Sequence, residues 1–188
     1  MISGRFMNTK QKLADALKEE MKNTPIPRIR IGDLTKRAGI NRQTFYYHYH
    51  DIYDLLEDMY SRMLDDVMDL DTAGDRWTNN IYDILVCLKD NREFVEKGYH
   101  ELDHERYEGI FRRAVGNLIE AALNHTAGSR LSREDRILIR DFYTFAVTSI
   151  MIKWIGNGMK EEPELLTRKI RTMVMDGFTI AASSFAAQ

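Results

Sequence analysis

The stretch from Ile31 to Tyr49 constrains the fold most, because its pattern is that of two short helices joined by a tight turn. Gly39 lies where the first helix must end and where the backbone can adopt a positive φ. Asn41, two residues later, is a favourable N-cap for a second helix that runs from about Arg42 to Tyr49. The pattern therefore predicts a helix–turn–helix.

The two short helices have one apolar face each. Leu34 and Ala38 lie four residues apart in the first helix, and Phe45 and Tyr49 do the same in the second, so these residues are predicted to be buried. The outward-facing residues have almost no carboxylates; they are Lys36, Arg37, Arg42, Gln43, Tyr46, Tyr47 and His48, with Thr44 at the margin. A helix that enters a DNA major groove needs this combination of cations, amides and phenols.

Residues 29–56, IRIGDLTKRAGINRQTFYYHYHDIYDLL, closely resemble the helix–turn–helix signature of the tetracycline-repressor (TetR) family. The shared features are an Ala–Gly–apolar turn, a Thr–Phe–Tyr–x–His–aromatic run and a pair of leucines that opens the next helix. The resemblance implies an all-α fold with an N-terminal three-helix DNA-binding head, whose motif spans about 30–49. A C-terminal helical body for ligand binding and dimerisation would follow, with expected domains at 7–67 and 68–188.

The resemblance also implies which residues contact DNA. Base edges would be read at the start of the second helix, by Arg42, Gln43 and Thr44. Backbone phosphates and thymine methyl groups would be contacted by Tyr46, Tyr47 and His48, and a further phosphate by Arg30, assisted by Lys10. The sequence departs from the family at Ile52, where a phosphate-binding lysine is common. This departure is the one support for an alternative, a protein-interaction module whose head no longer binds DNA.

The net charge of −2 is unevenly distributed along the chain. Residues 1–50 contain ten Lys or Arg against four Asp or Glu, about +6, and residues 51–188 contain seventeen against twenty-five, about −8. A basic head on an acidic body indicates that the head meets phosphate, although chance variation among solvated faces gives the same pattern. No export signal or membrane-length apolar run is present, so we expect a cytoplasmic protein, and no cofactor is indicated.

Apolar periodicity predicts helices along the rest of the chain. Their approximate bounds are 9–21, 52–70, 76–89, 92–99, 105–124, 133–157 and 163–183, with a polar break at 71–75 and a loop at 125–131. The helix at 133–157 is apolar on more than one side, so it needs two partners. We therefore expect a homodimer through the last two helices, in a four-helix bundle with their symmetry mates; the alternative is a monomer's central helix.

Residues 142–170 resemble the C-terminal helices of the DhaS-like subgroup of TetR regulators. The shared features are Trp154, an Asn–Gly–Met run at 157–159, and Pro163 at the start of the next helix. The resemblance implies a small-molecule effector or a co-regulator protein, and it leaves repressor and activator both open. Aromatic residues of the body are candidates to line an effector pocket, with plain core packing as the alternative: Trp77, Phe94, Tyr107, Phe111, Phe142 and Trp154. Cys87 is a candidate redox sensor or an inert core thiol.

The run from His100 to His104 fits the H-E-x-x-H pattern of zinc proteases, with Glu120 at a spacing suitable for a third ligand. Glu101 would then be the general base of a zinc hydrolase. Asp103 opposes this interpretation, because it places a charge where the active-site helix is normally apolar. The segment also has the character of a corner between helices, which favours solvated surface histidines. We therefore expect no enzyme activity and no metal site.

Overall fold

The computed structural model describes residues 3–68, 77–127 and 130–186, with side chains described from residue 9 onward. Within these ranges the regular structure is helical, with nine α-helices and one 3₁₀ turn, and the all-α prediction is confirmed. The helices are α1 (Ser3–Asn23), α2 (Ile31–Ala38), α3 (Arg42–His48), α4 (Ile52–Asp65), α5 (Trp77–Asp90), α6 (Arg92–Glu101), α7 (His104–Thr126), α8 (Arg133–Gly156) and α9 (Pro163–Phe185); the 3₁₀ turn is Ile26–Arg28.

Capping residues and a glycine, each acting within a few residues, determine where several helices begin and end. Asn41 accepts a hydrogen bond from the Thr44 amide at 2.7 Å, and Asp51 accepts one from the Asp54 amide at 2.8 Å. Gly39 ends α2 with a φ of 66°, which is the left-handed conformation that glycine adopts without strain. The predicted Asn41 cap and the predicted turn are therefore confirmed.

Several predicted helix bounds differ from the structure. Helix α1 begins at Ser3, six residues before its predicted start, and α6 and α9 each continue two residues past their predicted ends. Helix α4 ends at Asp65, not near Leu70, and Asp65 and Asp66 put carboxylates at a helix C-terminus, where they are unfavourable. The predicted end at Leu70 and the polar break at 71–75 lie outside the described residues. Helix α7 continues to Thr126, two residues past its predicted end, because His125 is a suitable residue for a last turn.

The N-terminal helices share one apolar core. Helix α1 packs on α2 and α4, and α2 packs on α3. The centre of this core is formed by fully buried side chains from all four helices, namely Leu13, Leu17, Leu34, Phe45 and Leu55. Because α2 and α3 have eight and seven residues, this tertiary packing, and not helix propensity, stabilises them.

The C-terminal helices pack around α7, which contacts α4, α5, α6, α8 and α9. Helix α5 also packs along α9. Helix α8 is apolar on two sides, as predicted: Ile139, Val147 and Met151 are buried, whereas Leu138, Phe142 and Phe145 are exposed. Helix α4 contacts both α1 and α7, so it connects the two halves of the core. Within the described residues, no helix has the length and apolar character needed to cross a bilayer.

Candidate DNA-binding face

Helix α3 displays polar and aromatic side chains on one continuous exposed face. Phe45 is fully buried and anchors the helix, while Arg42 and Gln43 are exposed at its first turn. Tyr46 is 51% exposed and Tyr47 is 73% exposed, so neither packs in the core. The helix contains no carboxylate, and therefore its surface can approach a polyanion without repulsion.

Two residues at the predicted face are partly buried: Thr44 lies at the margin, as predicted, whereas His48 is less exposed than the pattern indicates. The Thr44 hydroxyl donates to the Asn41 side chain at 2.9 Å. Burial lowers the pKa of His48, as does the nearby Lys10 ammonium, and the Asp58 carboxylate opposes them. A neutral His48 would contact a phosphate as a hydrogen-bond donor and not as a cation.

Tyr49 fixes the end of α3 to its neighbours. Its hydroxyl donates to Asp58 of α4 at 2.5 Å, and the same carboxylate accepts from Arg62 at 2.6 Å and from Lys10 of α1 at 3.3 Å. Burial, and secondarily the bond to Asp58, raises the pKa of Tyr49. Lys10, a candidate phosphate contact, is therefore already paired with Asp58 in this structure.

Arg30 and Arg42 line the same surface cleft, which has a volume of about 510 Å³. Residues from the N-terminal ends of α2, α3 and α4 line it together. Ile52, at the position where the family commonly has lysine, lines this cleft with only 7% of its surface exposed. The two arginines supply the positive charge that Ile52 lacks, although Asp33 and Asp51 lie in the same cleft.

The six candidate effector-pocket residues are not brought together in one cavity. Three of them form a row with Tyr60 of α4: Phe94 stacks on Tyr60 with ring centroids 4.4 Å apart, Tyr60 meets Tyr107 at 5.7 Å, and Tyr107 meets Phe111 at 5.1 Å. Phe94 also lines a surface cleft of about 560 Å³ between α1 and α6.

The remaining three candidates have separate environments. Trp77 packs against Phe178 of α9, with ring centroids 5.5 Å apart. The indole N–H of Trp154 donates to the Glu161 carbonyl at 2.9 Å and holds the corner between α8 and α9. Phe142 is 65% exposed on the outer side of α8, so its assignment to an interior pocket is corrected. Helical periodicity identified α8 as apolar on several sides, but it could not tell which side faces the core.

The zinc-protease interpretation of residues 100–104 is not supported. The pattern is split between two helices, because α6 ends at Glu101, Asp103 caps the Glu105 amide at 3.0 Å, and His104 begins α7. Glu120, the candidate third ligand, pairs with Arg136 at 2.5 Å. In the ranges that the structure describes, no three potential ligands cluster in a way that could hold a metal ion.

Comparison with known proteins decides the family. A family model described as "Transcriptional regulator C-terminal region" (TetR_C_8) matches residues 75–176, more than half of the chain. The chain belongs to the TetR family of transcriptional regulators. It is therefore a DNA-binding regulator, and the hydrolase alternative finds no support among its relatives.

One curated relative of this TetR-family regulator is the HTH-type dhaKLM operon transcriptional activator DhaS of Lactococcus lactis subsp. lactis (strain IL1403). The two are 26% identical over 128 residues, which are 65% of this chain and 67% of the relative. A solved structure described as dihydroxyacetone kinase operon activator DhaS superposes with a TM-score of 0.66 at 22% identity. It covers 92% of this chain and 97% of that one, which establishes a shared fold. These similarities support the DhaS-like subgroup.

One set of contacts between the N-terminal and C-terminal helices of this TetR-family regulator has no signature in the sequence. Lys97 and Glu101 of α6 bind backbone groups at the end of α1 and in the connection between α1 and α2. The sequence pattern indicated a different role for Glu101, as the general base of a zinc site. No local signal could have identified these contacts, because Ile26 and Glu101 are 75 residues apart in the chain.

Proposed function

We propose that this regulator binds a near-palindromic operator as a homodimer, with the α3 helices of the two subunits in successive major grooves. The observation that carries the proposal is the surface of α3, which exposes Arg42, Gln43, Tyr46 and Tyr47 and contains no carboxylate. Two such helices related by a two-fold axis fit half-sites about one helical turn of DNA apart.

Within this proposal, the first turn of α3 reads base edges. Arg42 is suited to the O6 and N7 atoms of guanine, and Gln43 to the N6 and N7 atoms of adenine. Each such bidentate contact discriminates against a wrong base by about 1–3 kcal/mol. Thr44 lies beside them, with its hydroxyl oriented by Asn41.

Phosphate contacts on both sides of α3 would fix the register of the head on the duplex. Tyr46, Tyr47 and His48 supply hydrogen-bond donors from α3 itself. Arg30 supplies a cation from the cleft that it shares with Arg42. These contacts are electrostatic and independent of base sequence, so the affinity that they contribute decreases as salt is added.

We assign residues 7–67 to the DNA-binding head and residues 68–188 to the effector-binding and dimerisation body. The packing of α1 to α4 around one core supports this division. Helix α4 also packs on α7, so the head is attached to the body through a helix that belongs to both cores.

The outer faces of α8 and α9 support a homodimer through the last two helices. Their exposed apolar residues are each more than half exposed and recur at helical spacing: Leu138, Phe142 and Phe145 on α8, and Met173 and Ile180 on α9. A surface of this kind on a helix pair is typical of a subunit interface. We expect Phe142→Asp to convert the dimer to monomers in sedimentation experiments, whereas Tyr82→Asp, at an exposed aromatic residue of α5, leaves it dimeric.

The body is the proposed site of regulation by a small apolar or amphipathic effector or by a co-regulator protein. The aromatic row from Phe94 to Phe111 reaches Tyr60 of α4, so a ligand that displaced a ring there would also move the head's attachment. Among the described residues, the Thr144 and Thr148 hydroxyls are buried without a hydrogen-bond partner, which suits a polar ligand group. Because the DhaS relatives are described as operon activators, the proposal covers activation as well as repression.

Selection of binding sites from random-sequence duplex DNA, at two salt concentrations, tests the proposed function. We expect one inverted-repeat sequence to be enriched, with affinity that decreases steeply as salt is added. The double variant Arg42→Ala/Tyr46→Ala should lose the enrichment. Arg133→Ala, which removes an exposed arginine from α8, is the matched control and should retain it. Enrichment of a sequence without two-fold symmetry would contradict the homodimer proposal.

A further inference from the structure

The head contacts the body at a second place besides α4. The connection between α1 and α2 lies against α6, where Lys97 and Glu101 are one helical turn apart with their charged groups 3.9 Å apart. The Glu101 carboxylate accepts a hydrogen bond from the Ile26 amide at 2.5 Å. The Lys97 ammonium donates to the carbonyl of Met21, and to that of Thr24 at 3.2 Å. We call this set of contacts the α6 clasp.

The backbone groups in the α6 clasp need partners from outside their own helices. Pro25 and Pro27 have no amide N–H, and they isolate the Ile26 amide between the end of α1 and the start of α2. The carbonyls of Met21 and Thr24 lie at the C-terminal end of α1, where the helix dipole favours a cation. A carboxylate and an ammonium are therefore the side chains suited to these two positions.

Helix α6 is itself held firmly against α4. Gly98 lies directly against the Tyr60 ring, and a Cβ at this position would clash with the hydroxyl and the ring. The Tyr60 hydroxyl also donates to the Phe94 carbonyl at 2.6 Å. Because α6 is fixed on α4, the α6 clasp holds the connection that leads into α2 at a defined place relative to the body.

We propose that Lys97 and Glu101 are positioning residues that set the angle between head and body. In a homodimer this angle fixes the separation of the two α3 helices, so the α6 clasp determines which half-site spacing the regulator accepts. The inference rests on the proposed homodimeric operator binding. Neither residue touches DNA, and both act through backbone groups at the C-terminal end of α1 and in the α1–α2 connection.

The test compares binding to a single half-site with binding to inverted repeats of different spacing. Lys97→Met and Glu101→Met keep side-chain length but remove the hydrogen-bonding groups. We expect single half-site affinity to stay within about twofold of the wild type. Affinity for the preferred spacing should fall by about tenfold or more, since the second head is no longer pre-positioned, and discrimination among spacings should weaken.

Two further variants separate positioning from general stability. Glu101→Gln retains an oxygen that accepts from the Ile26 amide, so it should restore the spacing preference. Glu96→Met breaks an ion pair with Arg92 on the same helix, 2.9 Å long and away from the α1–α2 connection, so it should leave the preference unchanged. Equal loss of half-site and full-site affinity in Glu101→Met would overturn the proposal, because it would indicate a damaged head.

A distance measurement within one chain makes the result independent of the operator. Spin labels at Lys36→Cys in the head and Tyr82→Cys in the body, in a Cys87→Ser background and diluted with unlabelled chains, should give a narrow distance distribution that broadens in Glu101→Met. If the wild type had no spacing preference, the homodimeric operator proposal would fail. An unbroadened distribution would instead overturn the α6 clasp, so the two failures are distinguishable.

Discussion

Helix α3 of the head and the aromatic row of the body use their rings in opposite ways. On α3, Tyr46 and Tyr47 face solvent, and a single buried ring, Phe45, fixes the helix to the core. In the body, Tyr107 and Phe111 are buried in a row of contacting rings. Helix α3 carries these two rings outward and keeps them for a partner, whereas the row from Phe94 to Phe111 uses its rings for stability. Substitutions in the two regions should therefore differ in what they change.

The largest expected effect is at Tyr60, where the two regions meet. Tyr60→Ala removes a fully buried ring that stacks on Phe94 and packs edge-on against Tyr107, so we expect a loss of about 3–5 kcal/mol in the free energy of unfolding. Because α4 belongs to both cores, head and body should lose stability together. Urea unfolding, monitored through amide hydrogen exchange in α2 and in α7, measures the loss of stability in each region. Unchanged protection in α2 would show that the head is stable on its own.

A smaller loss of stability is expected when the buried Tyr49 of the head is changed, and almost none when the exposed Tyr47 is changed. Tyr49→Phe removes a hydrogen bond to the Asp58 carboxylate, so unfolding should become easier by about 1.5–3 kcal/mol. Tyr47→Phe changes an exposed side chain, and the free energy of unfolding should stay within about 0.5 kcal/mol of the wild type. Chemical denaturation of both variants gives the comparison, and equal losses would contradict it.

Alkaline pH should destabilise the body through its buried phenols. Burial raises the pKa of Tyr107, whose hydroxyl donates to the Val95 carbonyl at 2.9 Å. The stabilisation is complete below the unfolded tyrosine pKa of about 10, and it is lost as pH rises above that value, because only the unfolded state then releases the proton. Each such tyrosine contributes about 1.4 kcal/mol per pH unit to the slope.

Unfolding free energies at several pH values above 10, with Tyr107→Phe, measure this contribution. The variant should have a shallower slope than the wild type, while Tyr47→Phe serves as the matched control. Identical slopes in the wild type and Tyr107→Phe would indicate that the Tyr107 hydroxyl is ionised in the folded protein.

The smallest effect is expected at exposed ion pairs of the body. Arg92 and Glu96 are four residues apart on α6, and their charged groups are 2.9 Å apart. Glu96→Ala should cost about 0.3–0.5 kcal/mol, and the difference should shrink in high salt. Thermal unfolding at low and high salt measures it. A loss above about 1 kcal/mol would indicate that Glu96 has a further partner.

The head could be predicted from the sequence because its determinants are local. Gly39, Asn41 and Asp51 specify the ends of helices through contacts within four residues, and the absence of carboxylates marks the face of α3. The body could be predicted only as a set of helices. The outward direction of Phe142 and the role of Glu101 both depend on which helices pack together, and periodicity carries no information about that.

Helix α4 has a consequence for any attempt to recombine regulators of this family. An exchange of residues 7–67 between two relatives would carry Tyr60 into a foreign body, where it must find a stacking ring, a carbonyl acceptor and a glycine at the places of Phe94 and Gly98. It would also carry in the α1–α2 connection, which needs a carboxylate and an ammonium on the recipient's α6. The transferable module is therefore the head together with the inner face of α6, two segments that are far apart in the gene.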